Sequence, residues 1–241
     1  YAASMALSNT LFQNSTGLPD GNHFSSAKDL ATMTSLLIDN FPETYSLYKE
    51  KYYTFNNIRQ PNRNRLLWKD NSSDGVKTGH TESAGYCLIS SAKRNDMRLI
   101  AVVAGAKSDK ERFNDTQRLL EYGFRFYTTQ EVIKKDNALK NVDVWGGKKN
   151  LVSLGSENNI KLTLPRTTFK NITISYDFQN NLRAPIKEGQ TLGTLVIKDG
   201  EKTLHTENLV ALSEVEAKGF FGRLWASFVL WLRGLFGLDD A

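Results

Sequence analysis

The 241-residue chain predicts an α+β fold in three successive parts: a mixed helix and strand region, a small all-β region and a C-terminal amphipathic helix. Three observations predict it. Helical and strand patterns alternate from Tyr1 to about Tyr127. Two-residue alternation dominates from about Thr128 to Leu212, and the most apolar stretch, Phe220 to Leu238, follows the charged run Glu214 to Lys218. The expected boundaries are 1–127, 128–212 and 213–241.

Composition narrows the class. An apolar fraction of 40%, a charged fraction of 24%, 17 glycines and 5 prolines are ordinary for a globular chain and exclude collagen-like or low-complexity sequence. A single cysteine excludes any intrachain disulfide. The length allows one large domain or two smaller ones. Lys and Arg exceed Asp and Glu by 31 to 26, a surplus of +5 that names no partner by itself.

Tyr1 to Leu7 reads as the tail of a helix, and without an initiating methionine the chain reads as cut from a longer one. Ser25 and Ser26 then precede an amphipathic run with Leu30, Met33, Leu36 and Leu37, stopped at Asn40-Phe41-Pro42, which predicts a capped helix. Val76–Thr78, Tyr86–Ala92 and Arg98–Gly105 predict three successive strands, the last two joined by a polar turn at Lys93–Asp96. Ser108 and Glu111 form a capping box for a helix to about Phe126, with Leu120 and Phe124 on one face. In the second region, Ile172, Ile174, Tyr176 and Phe178 alternate with polar residues, and Val196–Lys202 predicts a hairpin with an Asp-Gly turn. Aromatic residues do not interleave with basic ones as a single-strand groove requires, so nucleic acid is not an expected partner.

As a helix, Phe220 to Leu238 would reach about 28 Å, close to the roughly 30 Å of a bilayer core. Its pattern argues against spanning. Phe221, Leu224, Trp225, Phe228, Trp231, Leu232 and Leu235 fall on one half of the helical wheel, and Arg223 and Arg233 fall on the other. Each arginine would cost roughly 2.5 to 3.5 kcal/mol near a bilayer centre, whereas in an in-plane helix both meet lipid headgroups. The expectation is a membrane-surface anchor; the competing reading is a terminal helix packed on the protein's own core.

Little points to metal or cofactor chemistry. His23, His80, His205 and Cys87 lack ligand spacing, and no Gly-rich loop is followed by Lys-Ser/Thr. No metal and no cofactor are expected. The strongest local signal is Asp74-Gly75-Val76-Lys77-Thr78-Gly79-His80-Thr81. On a strand edge, Lys77 sets a cation beside the Thr78 hydroxyl, and Gly79 admits a ligand backbone, which suits a substrate with a free carboxylate.

Lys-Thr-Gly is the third motif of serine penicillin-recognising enzymes, after Ser-x-x-Lys and a Ser-x-Asn type triplet. Around it the chain resembles the low-molecular-mass penicillin-binding proteins, the serine D-alanyl-D-alanine carboxypeptidases of the penicillin-binding protein 5 and 6 group. The resemblance runs through Gly17-Leu18 to Ser25-Ser26-Ala27-Lys28-Asp29, Tyr45–Glu50, Ile58-Arg59-Gln60, Asn62-Arg63-Asn64, Leu66-Leu67-Trp68, Asp74–Thr81, Ala84-Gly85-Tyr86 and Gly123–Phe126. The β region and tail follow in the family's order.

The resemblance implies that residues 1–127 are the C-terminal portion of a penicillin-binding, β-lactamase-like transpeptidase domain. It implies a periplasmic enzyme on the bacterial inner membrane that removes the terminal D-alanine of peptidoglycan stem pentapeptides and is acylated by β-lactam antibiotics. Lys77 would bind the carboxylate with Thr78 beside it, Gly79 and the edge would receive the peptide, and the His80 N–H would be an oxyanion donor. Arg112 matches an arginine near the substrate carboxylate.

The nucleophile is expected upstream of Tyr1. Ser25 with Lys28, Ser46 with Lys49 and Ser90 with Lys93 match Ser-x-x-Lys only formally, as does Ser156-Glu157-Asn158 the second motif. The chain alone is therefore expected to be inactive. The alternative is a catalytically silent membrane-surface or wall-binding protein retaining the β region and anchor.

Overall fold

A computed structural model describes residues 2–178 and 181–219, which divide by their contacts into two compact units meeting at Thr128/Thr129. The expected C-terminal helix and its membrane-facing residues lie outside the described residues. No described helix is long and apolar enough to cross a membrane.

The first unit opens with the hydrogen bonds that close a helix. Ala6, at φ 54°, donates to the Ala3 carbonyl, and the Leu7 N–H reaches back to the Ala2 carbonyl, both at 3.0 Å. The expected helix tail therefore appears as this closing motif, with Leu7 buried beneath it.

Helix α1 (Ala27–Asn40) starts where Ser26 accepts the Asp29 N–H and ends before Phe41. Its apolar face is shallower than the sequence pattern predicts. Leu30, Met33, Leu36 and Leu37 are only half-buried, and the fully buried positions are Asp29 and Thr34. A short helix α2 (Pro42–Tyr45) and a 3-10 turn (Ser46–Lys49) lead into the hairpin β1 (Tyr52–Phe55) and β2 (Ile58–Pro61). One further turn, α3 (Leu66–Lys69), precedes the central sheet.

That sheet is antiparallel, in the order β3 (Ser73–Thr81), β4 (Gly85–Arg94), β5 (Met97–Ala106). The three predicted strands are all present, each longer than the sequence pattern showed. Helix α4 (Asp109–Phe126) buries Leu120 and Phe124 with Leu66, Leu88, Ala92, Met97 and Ala101. Its capping box is displaced by one residue. Ser108 accepts from the Glu111 N–H, but the Glu111 carboxylate takes the Lys107 N–H at 2.7 Å, not that of the cap itself.

The second unit is built of strands and one 3-10 turn within the described residues. Two strands pair, β6 (Tyr127–Ile133) with β9 (Ile160–Pro165). A six-stranded sheet combines β7 (Lys140–Trp145), β8 (Leu151–Gly155), β10 (Ile172–Phe178), β11 (Leu182–Arg183), β12 (Thr191–Asp199) and β13 (Lys202–Ala211), in the order β10-β12-β13-β8-β7-β11. The expected Asp-Gly hairpin joins β12 to β13, with Asp199 opposite Lys202 and Gly200 at φ 57°. Val152, Leu154, Ile186, Leu195, Ile197, Leu209 and Val215 fill this unit's own core.

Candidate functional site: an open strand edge over a cleft

Strand β3 is hydrogen-bonded to β4 on one side and forms the edge of its sheet. Its residues Lys77, Thr78, Gly79, His80 and Thr81 line a cleft of about 1060 Å³. The sequence-predicted substrate strand thus forms one wall of this cleft. Two cations, Lys77 and Arg63, share that lining with one carboxylate, Asp20, and the far wall adds Phe12, Asn14, Leu18 and Met33.

Several side chains fix this strand from behind. The buried Asn64 amide and the buried Ser90 hydroxyl both donate to the Gly75 carbonyl, at 2.7 and 2.9 Å. Just before it, Asp74 accepts from the Tyr45 hydroxyl at 2.7 Å and is clamped through both oxygens by Arg98, at 2.9 and 2.8 Å. Bidentate pairing of this kind fixes direction as well as distance. Burial pushes the Tyr45 phenol well above its ordinary range, and Asp74 acts in the same sense, so this hydroxyl stays a donor.

At the cleft itself, the Lys77 ammonium folds back onto the neighbouring Thr78 carbonyl at 2.5 Å. A carboxylate arriving here would replace a neutral acceptor with a charged one, the stronger partner for an ammonium. Gly79 is not demanded by the fold: a Cβ there would meet only Cys87 Cβ at an ordinary 3.8 Å. The space it leaves open belongs to the cleft. The His80 ring rests on Tyr86, 3.9 Å between centroids, directly across from it on β4.

Arg112 lies on α4, beside the same strand. Its guanidinium, on a residue only 6% exposed, donates to the carbonyls of Gly79 (2.9 Å) and Cys87 (3.3 Å) and pairs with Asp109 at 2.5 Å. These bonds tie α4 to β3 and β4 and set the guanidinium at the carbonyl of Gly79, a residue of the cleft wall. Asp109 also takes Arg65 at 2.8 Å.

The far wall was missed by sequence reasoning. Residues 12–20 and 23 line the cleft from a loop held by side chains: Asp29 accepts the Asn9 N–H and the Thr10 hydroxyl, at 2.8 and 2.7 Å. Asn14 accepts the Gly17 N–H and the Thr16 hydroxyl and donates to the Leu18 carbonyl, tightening the tip. His23 accepts the Gln13 N–H through Nδ1. The signal present was Gly17, at φ 78°, in an Asn- and Thr-rich stretch. Arg63 was part of a recognised stretch but had no assigned role.

The formal Ser-x-x-Lys serines have other occupations. Ser25 shares a hydrogen bond with Thr10, Ser46 donates to the Glu43 carbonyl, and Ser90 is fully buried on Gly75. Ser156 is turned onto Asn158 within the β unit. None of the first three hydroxyls is hydrogen-bonded to the lysine of its own motif among the described residues. No group of three or more metal-ligating side chains occurs among those residues either.

An exposed Lys-Thr-Gly edge, backed by a three-stranded sheet and a helix, defines the ligand-binding half of a serine penicillin-recognising domain. Comparison with known proteins specifies it. Residues 1–108 match the D-alanyl-D-alanine carboxypeptidase family, Peptidase S11, and residues 127–217 match the penicillin-binding protein 5 C-terminal domain. The chain is 45% identical over 239 residues to D-alanyl-D-alanine carboxypeptidase DacC of Escherichia coli K12, covering 98% of itself and 60% of that relative. It is 39% identical to DacA of Haemophilus influenzae, covering 98% of itself and 61% of that protein. The structure of penicillin binding protein 5 from Haemophilus influenzae superposes with a TM-score of 0.76 at 37% identity, over 90% of this chain and 64% of that one. The chain belongs to the D-alanyl-D-alanine carboxypeptidase family of the penicillin-binding protein 5/6 type, and it spans about 60% of the length of these curated relatives.

Proposed function

We propose that the chain is the substrate-binding part of a serine-type D-alanyl-D-alanine carboxypeptidase that trims peptidoglycan stem pentapeptides and is acylated by β-lactams. The observation that carries this reading is the open edge of β3 with Lys77, Thr78 and Gly79 facing a cationic cleft. A stem peptide adds to that edge as a further strand, its backbone paired with β3. Its terminal carboxylate is held by the Lys77 ammonium and the Thr78 hydroxyl, and the His80 N–H is one of the donors to the oxyanion formed on acyl transfer. The nucleophile is none of this chain's Ser-x-x-Lys serines. Asp74 holds the edge in register from behind, and Arg112, bonded to the Gly79 carbonyl, stands near the substrate carboxylate.

The reading includes a periplasmic location at the inner membrane and a tail, residues 220–241, lying in the membrane surface. The amphipathic pattern of that segment supports it, with aromatic residues on one half of the wheel and Arg223 and Arg233 on the other.

The test is Lys77→Ala in a full-length family member containing this chain. A hydrogen bond to a charged group contributes about 1.5 to 3 kcal/mol, so acylation by a fluorescent penicillin and D-alanine release should both fall about ten- to hundredfold. Unchanged acylation would remove Lys77 from the site. The isolated chain should form no covalent adduct, and an adduct on Ser25 would overturn the exclusion of its own serines.

A further inference from the structure

We infer that the hairpin Tyr52–Pro61 is a second binding surface, for the glycan strand of peptidoglycan itself; the inference rests on the carboxypeptidase reading and extends it from the stem peptide to the polymer that bears it. The hairpin is a ribbon of two strands joined by Asn56 and Asn57, both at positive φ, and every one of its residues is exposed. Antiparallel register puts Tyr53, Gln60, Phe55 and Ile58 on one face and Tyr52, Pro61, Thr54 and Arg59 on the other. The second face is occupied. Arg59 lies 3.7 Å over the Tyr52 ring, and Tyr52 meets Trp68 edge-on.

The first face is bare. Tyr53 is 68% exposed, and Phe55 and Ile58 61% each. The Tyr53 and Phe55 rings are parallel within 7°, with centroids 6.5 Å apart. A protein spends little apolar surface on solvent without a use for it. Two parallel rings in a row, without walls, offer stacking area and no pocket, so the matching ligand is flat and repeating. A chain of β-1,4-linked amino sugars has that character, since each pyranose ring presents an apolar face of axial C–H groups.

Charge adds the second half of the argument. From Lys49 to Arg65 the exposed cations are Lys49, Lys51, Arg59, Arg63 and Arg65, the last paired with Asp109, and the single acid within the span is Glu50. Acidic peptides hanging from the glycan are complementary to such a flank. The ribbon is also tied to the cleft. Asn62 donates to the Lys51 carbonyl at its base, Arg63 lines the cleft, and buried Asn64 bonds β3 at Gly75. A polymer lying on the ribbon would bring its stem peptides to the open edge.

The test uses the whole chain and the soluble tetramer of β-1,4-linked N-acetylglucosamine, which carries no peptide. Amide and ring chemical shifts of Tyr53, Phe55 and Ile58 should move on titration, and the double variant Tyr53→Ser/Phe55→Ser should pellet with purified peptidoglycan about tenfold less well, equivalent to ~1.4 kcal/mol. Shift mapping on the unsubstituted chain gives an answer even if the variant folds poorly. Shifts confined to Lys77–Thr81, no shifts, or undiminished pelleting of a folded variant would overturn the assignment. So would a variant that loses binding only to anionic phospholipid vesicles, which would make the ribbon a membrane contact. A failed Lys77→Ala test would refute the carboxypeptidase reading and leave the tetramer result standing, so the two fail separately.

Discussion

Gly75 and Gly79 lie on the same strand and are glycines for opposite reasons. A Cβ at Gly75 would sit 2.7 Å from the Tyr45 hydroxyl that reaches Asp74, whereas one at Gly79 would meet no protein atom closer than 3.8 Å. Gly75→Ala should therefore cost about 1 to 3 kcal/mol of stability, measured by denaturant unfolding, through a forced shift of Tyr45. Gly79→Ala should leave stability almost unchanged and weaken ligand binding in the full-length protein, because the methyl enters the cleft. Equal losses of stability in the two variants would show that Gly79, too, is a packing requirement. Asp29, buried on α1, holds the base of the loop that forms the other wall, and its charge links that loop to pH. The Thr10 hydroxyl first, then the Asn9 N–H and the Ser26 hydroxyl, hold its carboxyl below the ordinary range. A carboxyl depressed in the folded state contributes stability that is present above its unfolded value, about 3.9, and that is lost as the pH falls through the folded value. Burial opposes the same shift at Asp70, where hydrogen bonds from Ser72 and Arg94 outweigh it. Asp29→Asn should accordingly lower stability at pH 7 and make the loss on acidification shallower; an acid profile parallel to that of the unsubstituted chain would separate Asp29 from that loss.

Several elements with one face on a core were legible. The strands β4 and β5 and the helix α4 could be read because Leu88, Ala92, Ala101, Leu120 and Phe124 repeat at the period of their element, whereas β7, with Val142 and Val144 in the core of the second unit, was not singled out. The hairpin Tyr52–Pro61 was not read, because it buries neither face and shows no apolar and polar alternation; its only signal was the Asn56-Asn57 pair suited to a type I′ turn. The candidate site divides in the same way. Its β3 wall was legible from Lys-Thr-Gly, but the loop opposite is shaped by hydrogen bonds from Asn14 and Asp29, which leave no periodic trace. In the second unit, the bulge of β12 at Thr191/Gly193 tests how an element bends. A Cβ on Gly193 would collide with the Asp177 carbonyl and come within 2.7 Å of Phe178 Cβ. Backbone on the neighbouring strand cannot give way as a side chain does, so Gly193→Ala should cost about 1 to 3 kcal/mol or more. A thermal midpoint within a degree of the parent's would show that β10 moves aside freely.

At the scale of the whole molecule, the basic surplus of +5 resolves into local features. Residues 49–65 alone carry five cations and one acid, and the cleft adds Lys77, so the charge gathers where carboxylates are proposed to bind. Each unit has its own apolar core, one around Leu88 and Leu120 and one around Leu195 and Ile197, so neither depends on residues 220–241 to bury its centre. On the proposed reading of the tail as a membrane-surface helix, Phe221, Leu224, Trp225, Phe228, Trp231, Leu232 and Leu235 would supply most of the affinity by burial at a lipid interface, and Arg223 and Arg233 would add a salt-sensitive share on anionic lipid. Sedimentation with vesicles containing anionic phospholipid should therefore carry down the full chain and leave residues 1–219 in solution. Raising the salt should weaken the binding without abolishing it. Binding lost entirely at high salt would assign the attachment to charge alone, and equal partitioning of the two forms would place the attachment, if any, within residues 1–219 and remove the tail's proposed role.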